Sequence, residues 1–394
     1  MQRSLGKAGE TTLLSVACLT IMVGCALVPG LQRVSLQLGL SGLESWLVTM
    51  PSVGVVALGP IAGRIADRIG LRRALLLGLA LYGALGMGGA LLHGPYAVLG
   101  SRFLLGGATA LVMATGTGLI SAFYADRQRL AMIARQGMAI ELGGVAFLML
   151  GGWLAVRGWW YPFLQYAVAW LLFACVLRFV PDERAAAGAP DPSQEAEESN
   201  EAASAAPLPD ALKSIYCAAF LSMACFFAAV IVLPLRFHEL GIGEAGTGYF
   251  LAFVSLVAVA VAATMPRVSS RLGAPATLTL AFLAYALAHG VFACAASLAP
   301  FVAGAVALGA GFGLSIPLVN HMTVEASPAN RRGRALGNLS MAIFAGQCLP
   351  SFMHYTPGHG APLFVAAAGL ALFAAAGLPL VRRVWEPAGE RRAT

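Results

Sequence analysis

Two ionisable side chains stand where an apolar chain makes charge expensive. Arg102 lies in Leu99-Gly100-Ser101-Arg102-Phe103-Leu104-Leu105-Gly106, and Glu141 lies within the apolar stretch 131–155. A charge in a bilayer core is kept there for a partner, an ion path or a substrate. Glu141 is about nine residues into its stretch, roughly 13 Å at 1.5 Å per residue. Gly137, Gly144 and Gly151 fall on the same helical face, and a small-residue face packs on helices rather than on lipid. Glu141 is therefore expected to face the interior and to exchange a proton. Arg102 is its expected partner, across a depth difference of roughly 9 Å. The plainer alternatives are an Arg102 that snorkels to the headgroups and a Glu141 bonded to a neighbouring helix for structure alone.

A second concentration of charge reads Gly63-Arg64-Ile65-Ala66-Asp67-Arg68-Ile69-Gly70-Leu71-Arg72-Arg73, between apolar runs at 41–62 and 74–93. It is expected to be a short turn at a membrane face. Gly70 permits the reversal, Gly63 lets two helices approach, Asp67 is able to cap a helix N-terminus, and the arginines hold the turn in the cytoplasm. Other polar groups are scattered. Arg33 and Arg236 end two apolar runs at matching places, where they would either face each other and attract carboxylates or phosphates or anchor at the interface. Asn320, His321, Glu325, Asn338 and Gln347 complete the candidate substrate or proton site. Trp159-Trp160-Tyr161 reads as an interfacial belt.

These groups must be positioned by membrane helices. The chain has 394 residues, of which 59% are hydrophobic and 11% charged, far fewer charges than soluble domains carry. Windows of about 20 apolar residues, enough to cross a bilayer, recur throughout. The net charge of +7 reads as loop arginines that set topology, not as a nucleic-acid surface. Seven cysteines all fall in apolar runs without a C-x-x-C pair, which suits packing better than disulfides or metal. No G-x-x-x-x-G-K-[ST] offers a nucleotide site. No metal or nucleophile constellation is present, so no cofactor and no enzymatic activity are expected. Residues 1–10 are polar and the first apolar run lacks a convincing cleavage site, so that run reads as a retained span.

Twelve spans are expected, at about 11–34, 41–62, 74–93, 96–124, 131–155, 159–180, 211–235, 245–265, 275–298, 300–324, 334–356 and 361–381. Residues 181–210 change to an acidic Ala/Pro/Ser composition and read as a solvated linker. With both termini in the cytoplasm, nearly all Lys and Arg fall on inner segments, leaving Arg33, Arg157 and Arg236 outside. The halves also repeat. A shift of 203 residues takes Gly63–Gly70 to Pro266–Gly273, Arg33 to Arg236 and Gly106 to Gly309, while Leu38-Gly39-Leu40 recurs one residue out of register as Leu240-Gly241-Ile242. The fold class expected is an all-α membrane protein of two pseudo-symmetric six-helix bundles, 1–180 and 211–394, joined by the linker 181–210.

The spacing G-x-x-x-D-R-x-G-x-R-R, at Gly63, Asp67, Arg68, Gly70 and Arg73, resembles the signature between helices 2 and 3 of the major facilitator superfamily of transporters. The resemblance implies an inner-face latch whose arginines meet an acid below span 4, here Asp126. Arg102 followed by Gly106 is similar to the family's span-4 motif, whose Arg is linked to proton movement in proton-coupled members. The antiporter motif of span 5 ends G-P-x-x-G-G. Here Phe147-Leu148-Met149-Leu150-Gly151-Gly152 keeps the glycine pair and lacks the Gly-Pro. The resemblance further implies a monomeric, multi-pass carrier of the bacterial inner membrane. It would use protons to export a small organic solute (a drug, a metabolite or a metallophore) by alternating access. The alternative is an importer of an organic anion or a siderophore complex. A receptor that kept the fold and lost transport would have shed the motif charges or gained a signalling domain, and neither is seen.

Overall fold

The computed structural model describes residues 5–124, 126–182, 210–328, 331–353 and 361–385. The expected linker lies almost wholly outside these residues, as does the side chain of Asp126. The described chain is a succession of long helices. Ten of them are long and apolar enough to cross a membrane, from Lys7–Gln37 to Leu298–Ala326. The last two expected spans correspond to Arg332–Met353 and Ala361–Trp385. Leu104, Leu142, Trp170, Leu171, Leu287 and Phe373 are exposed on these helices, as surfaces solvated by lipid require. The protein is a multi-pass membrane protein.

Proline and glycine set the breaks. Span 1 is α-helical over Lys7–Cys25, then passes through a 3-10 turn, Val28–Gly30, into Leu31–Gln37. Pro29 supplies no N–H to continue the first helix. Span 2 runs from Glu44 to Ile69 and span 3 from Leu71 to Gly88. The stretch expected as a turn is therefore helix from Gly63 to Ile69, because Ala and Arg favour helix, and Gly70 breaks it. Gly70 has φ 89° and ψ 153°, a region that side chains with a Cβ avoid. Gly273, 203 residues on, has φ 80° and ψ 159° and likewise opens span 9, Ala274–Cys294. Between span 8, Glu244–Ala262, and span 9 lies a separate short helix, Met265–Leu272. Pro266, in the place of Gly63, supplies no amide to link it to span 8.

Two compact units are distinguished: Met1–Gly188 with Val230–Val259 and Pro350–Tyr355, and Ala189–Ala229 with Ala260–Leu349 and Thr356–Thr394. In the first, Tyr82 on span 3 donates to the Leu19 carbonyl on span 1 at 2.7 Å. In the second, Tyr285 and Ser222, each 203 residues later, meet through their hydroxyls at 3.1 Å. Ser315 joins them at 2.6 Å from Ser222, giving spans 7, 9 and 10 a satisfied buried hydroxyl cluster. His289 is fully buried beside it and its Nε2 lies 2.9 Å from the Cys225 carbonyl.

Candidate functional site

Arg102 sits on span 4, Pro95–Phe123, and only 3% of it is exposed. A snorkelling side chain would be far more open. One turn on, Gly106 packs on span 2 at Pro51 and Gly54, and a Cβ on Gly106 would collide with the Pro51 carbonyl. The Arg-x-x-x-Gly spacing thus seats one helix against another at the level where the guanidinium turns inward. On span 3, Gly86 leaves room for the ring of Tyr166, which stands on the 3-10 stretch Tyr161–Ala167 opening span 6. Arg102 donates from Nη1 to the Tyr166 hydroxyl at 2.8 Å, and its Cζ lies 5.4 Å and 5.5 Å from the Phe163 and Tyr166 ring centres. Those rings offset part of the cost of the buried charge. Its Nη2 is buried and, among the described residues, has neither a hydrogen-bond acceptor nor a carboxylate.

Glu141 lies on span 5, Asp126–Arg157, and is half-buried. Among the described residues it makes no ion pair or hydrogen bond, and it feels Cys25 of span 1 electrostatically. The glycine face is divided. Gly144 and Gly151 press on Ile21 and the Ala26 carbonyl, while nothing lies within 4 Å of a Cβ built on Gly137. Cys25 in turn is an electrostatic neighbour of Tyr82, as are Tyr166 and Arg102. Among the described residues no ion pair joins Glu141 to Arg102, whose Nη2 stays without a partner, so the two do not pair directly.

At the other end of span 2, Asp67, Arg68 and Arg73 are exposed. Nothing lies within 4 Å of a Cβ on Gly63, so the close approach expected there occurs instead at Gly54 and Gly106. The arginine with the clearest structural task is Arg72, which sequence reasoning did not single out. It donates to the carbonyls of Val180 at 2.7 Å and Leu177 at 3.0 Å, closing the C-terminus of span 6, where unpaired carbonyls and the helix dipole favour a cation.

Arg33 lies 3.6 Å from Glu244, and Arg236 lies 2.7 Å from Glu239. Each arginine is offset by a carboxylate that the sequence alone did not pair with it. In the second unit, Asn320 bonds its own helix at Ile316, and His321 lies 3.2 Å from Glu325 with both side chains more than half exposed. Asn338 hydrogen-bonds Tyr216, and Gln347 is buried. Tyr166 and Tyr82 are the residues of the first unit that sequence reasoning missed. Both carry a hydroxyl inside an apolar run, which is the only signal the sequence offers.

A family description, Major Facilitator Superfamily, matches residues 12–351 and 215–393. Over 152 residues the chain is 30% identical to the methyl viologen resistance protein SmvA of Salmonella typhimurium, covering 37% of this chain and 30% of that protein. Over 145 residues it is 32% identical to the multidrug efflux pump LfrA of Mycolicibacterium smegmatis, covering 36% of this chain and 29% of that protein. The aligned part therefore spans less than a third of the length of these relatives. A solved peptide transporter, POT in complex with sulfate, superposes with a TM-score of 0.73 at 17% identity, covering 95% of this chain and 94% of that one, a likeness of fold. With the signature helix, the buried span-4 arginine and the matching glycine turns at Gly70 and Gly273 in place, the chain belongs to the Major Facilitator Superfamily, whose members are transporters and not enzymes.

Proposed function

We propose that the protein is a proton-coupled secondary transporter that exports a small organic solute by alternating access. The observation that carries this reading is Arg102, a guanidinium deep in the first unit with no carboxylate partner among the described residues. A lone buried charge is costly, so a state of the cycle that supplies an anion would be strongly favoured. Glu141, on the same unit, is the group assigned to proton exchange. Export is supported by the relatives, one named for methyl viologen resistance and one for multidrug efflux. The two six-span halves, 1–180 and 211–394, with the linker 181–210, are supported by the 203-residue repeat. The arginine asymmetry supports cytoplasmic termini and linker in a bacterial inner membrane. Asp67, Arg68, Gly70 and Arg73 serve as a latch at the inner face, with Asp126 as the acid below span 4, and the working unit is a monomer.

The test is uptake of methyl viologen into inside-out vesicles energised by a proton gradient. Accumulation that collapses with a protonophore is expected. Accumulation confined to right-side-out vesicles would turn the reading into import, and no gradient dependence in either orientation would remove proton coupling.

A further inference from the structure

We propose that the last turn of span 11, Pro350–Met353, is a lid hinged at Pro350 and latched to span 2 by the hydroxyls of Thr49 and Ser351. Span 11 is one helix, Arg332–Met353, yet it passes from the second unit to the first at Pro350. A proline inside a helix removes one backbone hydrogen bond and crowds the turn before it. The helix is therefore weakest where its packing changes partner. What the lid opens in the cycle rests on the alternating-access reading, whereas the latch itself does not.

Beyond the proline the chain is fastened to span 2. Thr49 Oγ1 and Ser351 Oγ lie 2.5 Å apart, and both residues are fully buried. Phe352 meets Trp46 edge to face, with ring centres 5.1 Å apart, a favourable aromatic geometry. Phe352 is otherwise 56% exposed, so the turn is tied down on one side only. The latch has a direction. Thr49 Oγ1 also lies 3.2 Å from the Ser45 carbonyl, which can only accept. Thr49 therefore gives its proton to Ser45 and takes that of Ser351. The pair carries no charge, so it parts without separating ions. Ser45, Thr49 and Ser52 follow at i, i+4 and i+7 on one face of span 2, each at most 2% exposed. The Ser45 hydroxyl has no hydrogen-bond partner, a cost that water removes once the lid lifts. Closure is thus held lightly, by one neutral bond and one ring contact set against a hydroxyl that gains from solvent.

The test is the rate at which Ser45→Cys reacts with a maleimide, in the purified full chain with its native cysteines replaced. In detergent no gradient, substrate or sidedness enters, so this arm stands apart from the transport reading. Labelling should be slow with the latch intact. Thr49→Val leaves the Ser351 hydroxyl buried without its acceptor and should speed labelling by about two- to tenfold, the worth of one hydrogen bond. Ser351→Ala should speed it less, because Thr49 keeps its bond to Ser45. The two together should label more slowly than Thr49→Val alone, since an apolar pair leaves no orphaned group; a fold that had merely loosened would add the two effects. Pro350→Ala, which restores the missing amide, should slow labelling at least about twofold. A second arm uses Thr49→Cys with Ser351→Cys. Oxidation with copper phenanthroline should halt methyl viologen accumulation in vesicles, and dithiothreitol should restore it. Parent-like labelling in Thr49→Val, additive effects in the double variant, labelling not slowed in Pro350→Ala, or accumulation that continues through the disulfide would each overturn the proposal.

Discussion

The guanidinium of Arg102 is held by the hydroxyl of Tyr166, 2.8 Å away, across the interface of spans 4 and 6. One hydrogen bond and two aromatic faces fix a charge that has little access to solvent, while Gly86 lets span 3 approach Tyr166 and Gly106 lets span 4 approach span 2.

Arg102→Lys is expected to lose gradient-driven transport nearly as fully as Arg102→Ala. A lysine ammonium is a point charge on a flexible stem and cannot match a planar group placed against two rings and a hydroxyl. Tyr166→Phe should keep the packing and lose a charge-assisted hydrogen bond, lowering stability by about 1.5–3 kcal/mol. Melting temperature in detergent and vesicle transport measure the two effects. Parent-like transport by Arg102→Lys would show that only the charge matters.

Glu141→Gln should abolish proton-driven accumulation while sparing substrate binding in detergent and downhill exchange. The amide preserves size and polarity at a half-buried position without a cation partner among the described residues, and removes only the exchangeable proton. If the variant accumulates substrate as the parent does, Glu141 is structural, and coupling should be sought at His321 or Glu325.

Asp67→Asn should leave expression and insertion intact and cut transport by at least about tenfold, the loss expected when a charged hydrogen bond is removed. The side chain is exposed at the end of span 2, so folding has little stake in it. Near-normal transport would reduce the signature to a topological anchor.

Topology is tested with single cysteines in a chain whose native cysteines have been replaced. Both Ser41, which precedes span 2 at the end away from the signature, and Ser270, within the second-half signature helix Met265–Leu272, are exposed. Ser41→Cys should react with an impermeant maleimide in intact cells, and Ser270→Cys only after the membrane is opened. The reverse pattern would invert the orientation drawn from the arginines.

Much of the architecture was legible in the sequence, because a bilayer leaves few choices. An apolar run of sufficient length must be a helix that satisfies its own backbone, so most of the spans could be placed to within a few residues, while span 2 runs on to Ile69 instead of ending near 62. The glycines at 70 and 273 could be paired by register before any geometry was known, and they proved to share the same positive-φ region, at φ 89° and 80°.

Tertiary structure decided what lies around those groups, since the contacts join residues far apart in the chain. Arg102 meets Tyr166, Arg33 meets Glu244, and Arg72 closes span 6, and no local spacing encodes which helix faces another. The signature stretch shows the same division. Its charges gave the impression of a loop, yet helix propensity and packing carry span 2 through it to Ile69. Composition along the chain determined that this protein threads a membrane many times. The close approach of helices at glycine, which depends on surfaces brought together only on folding, decided where its buried charge is held.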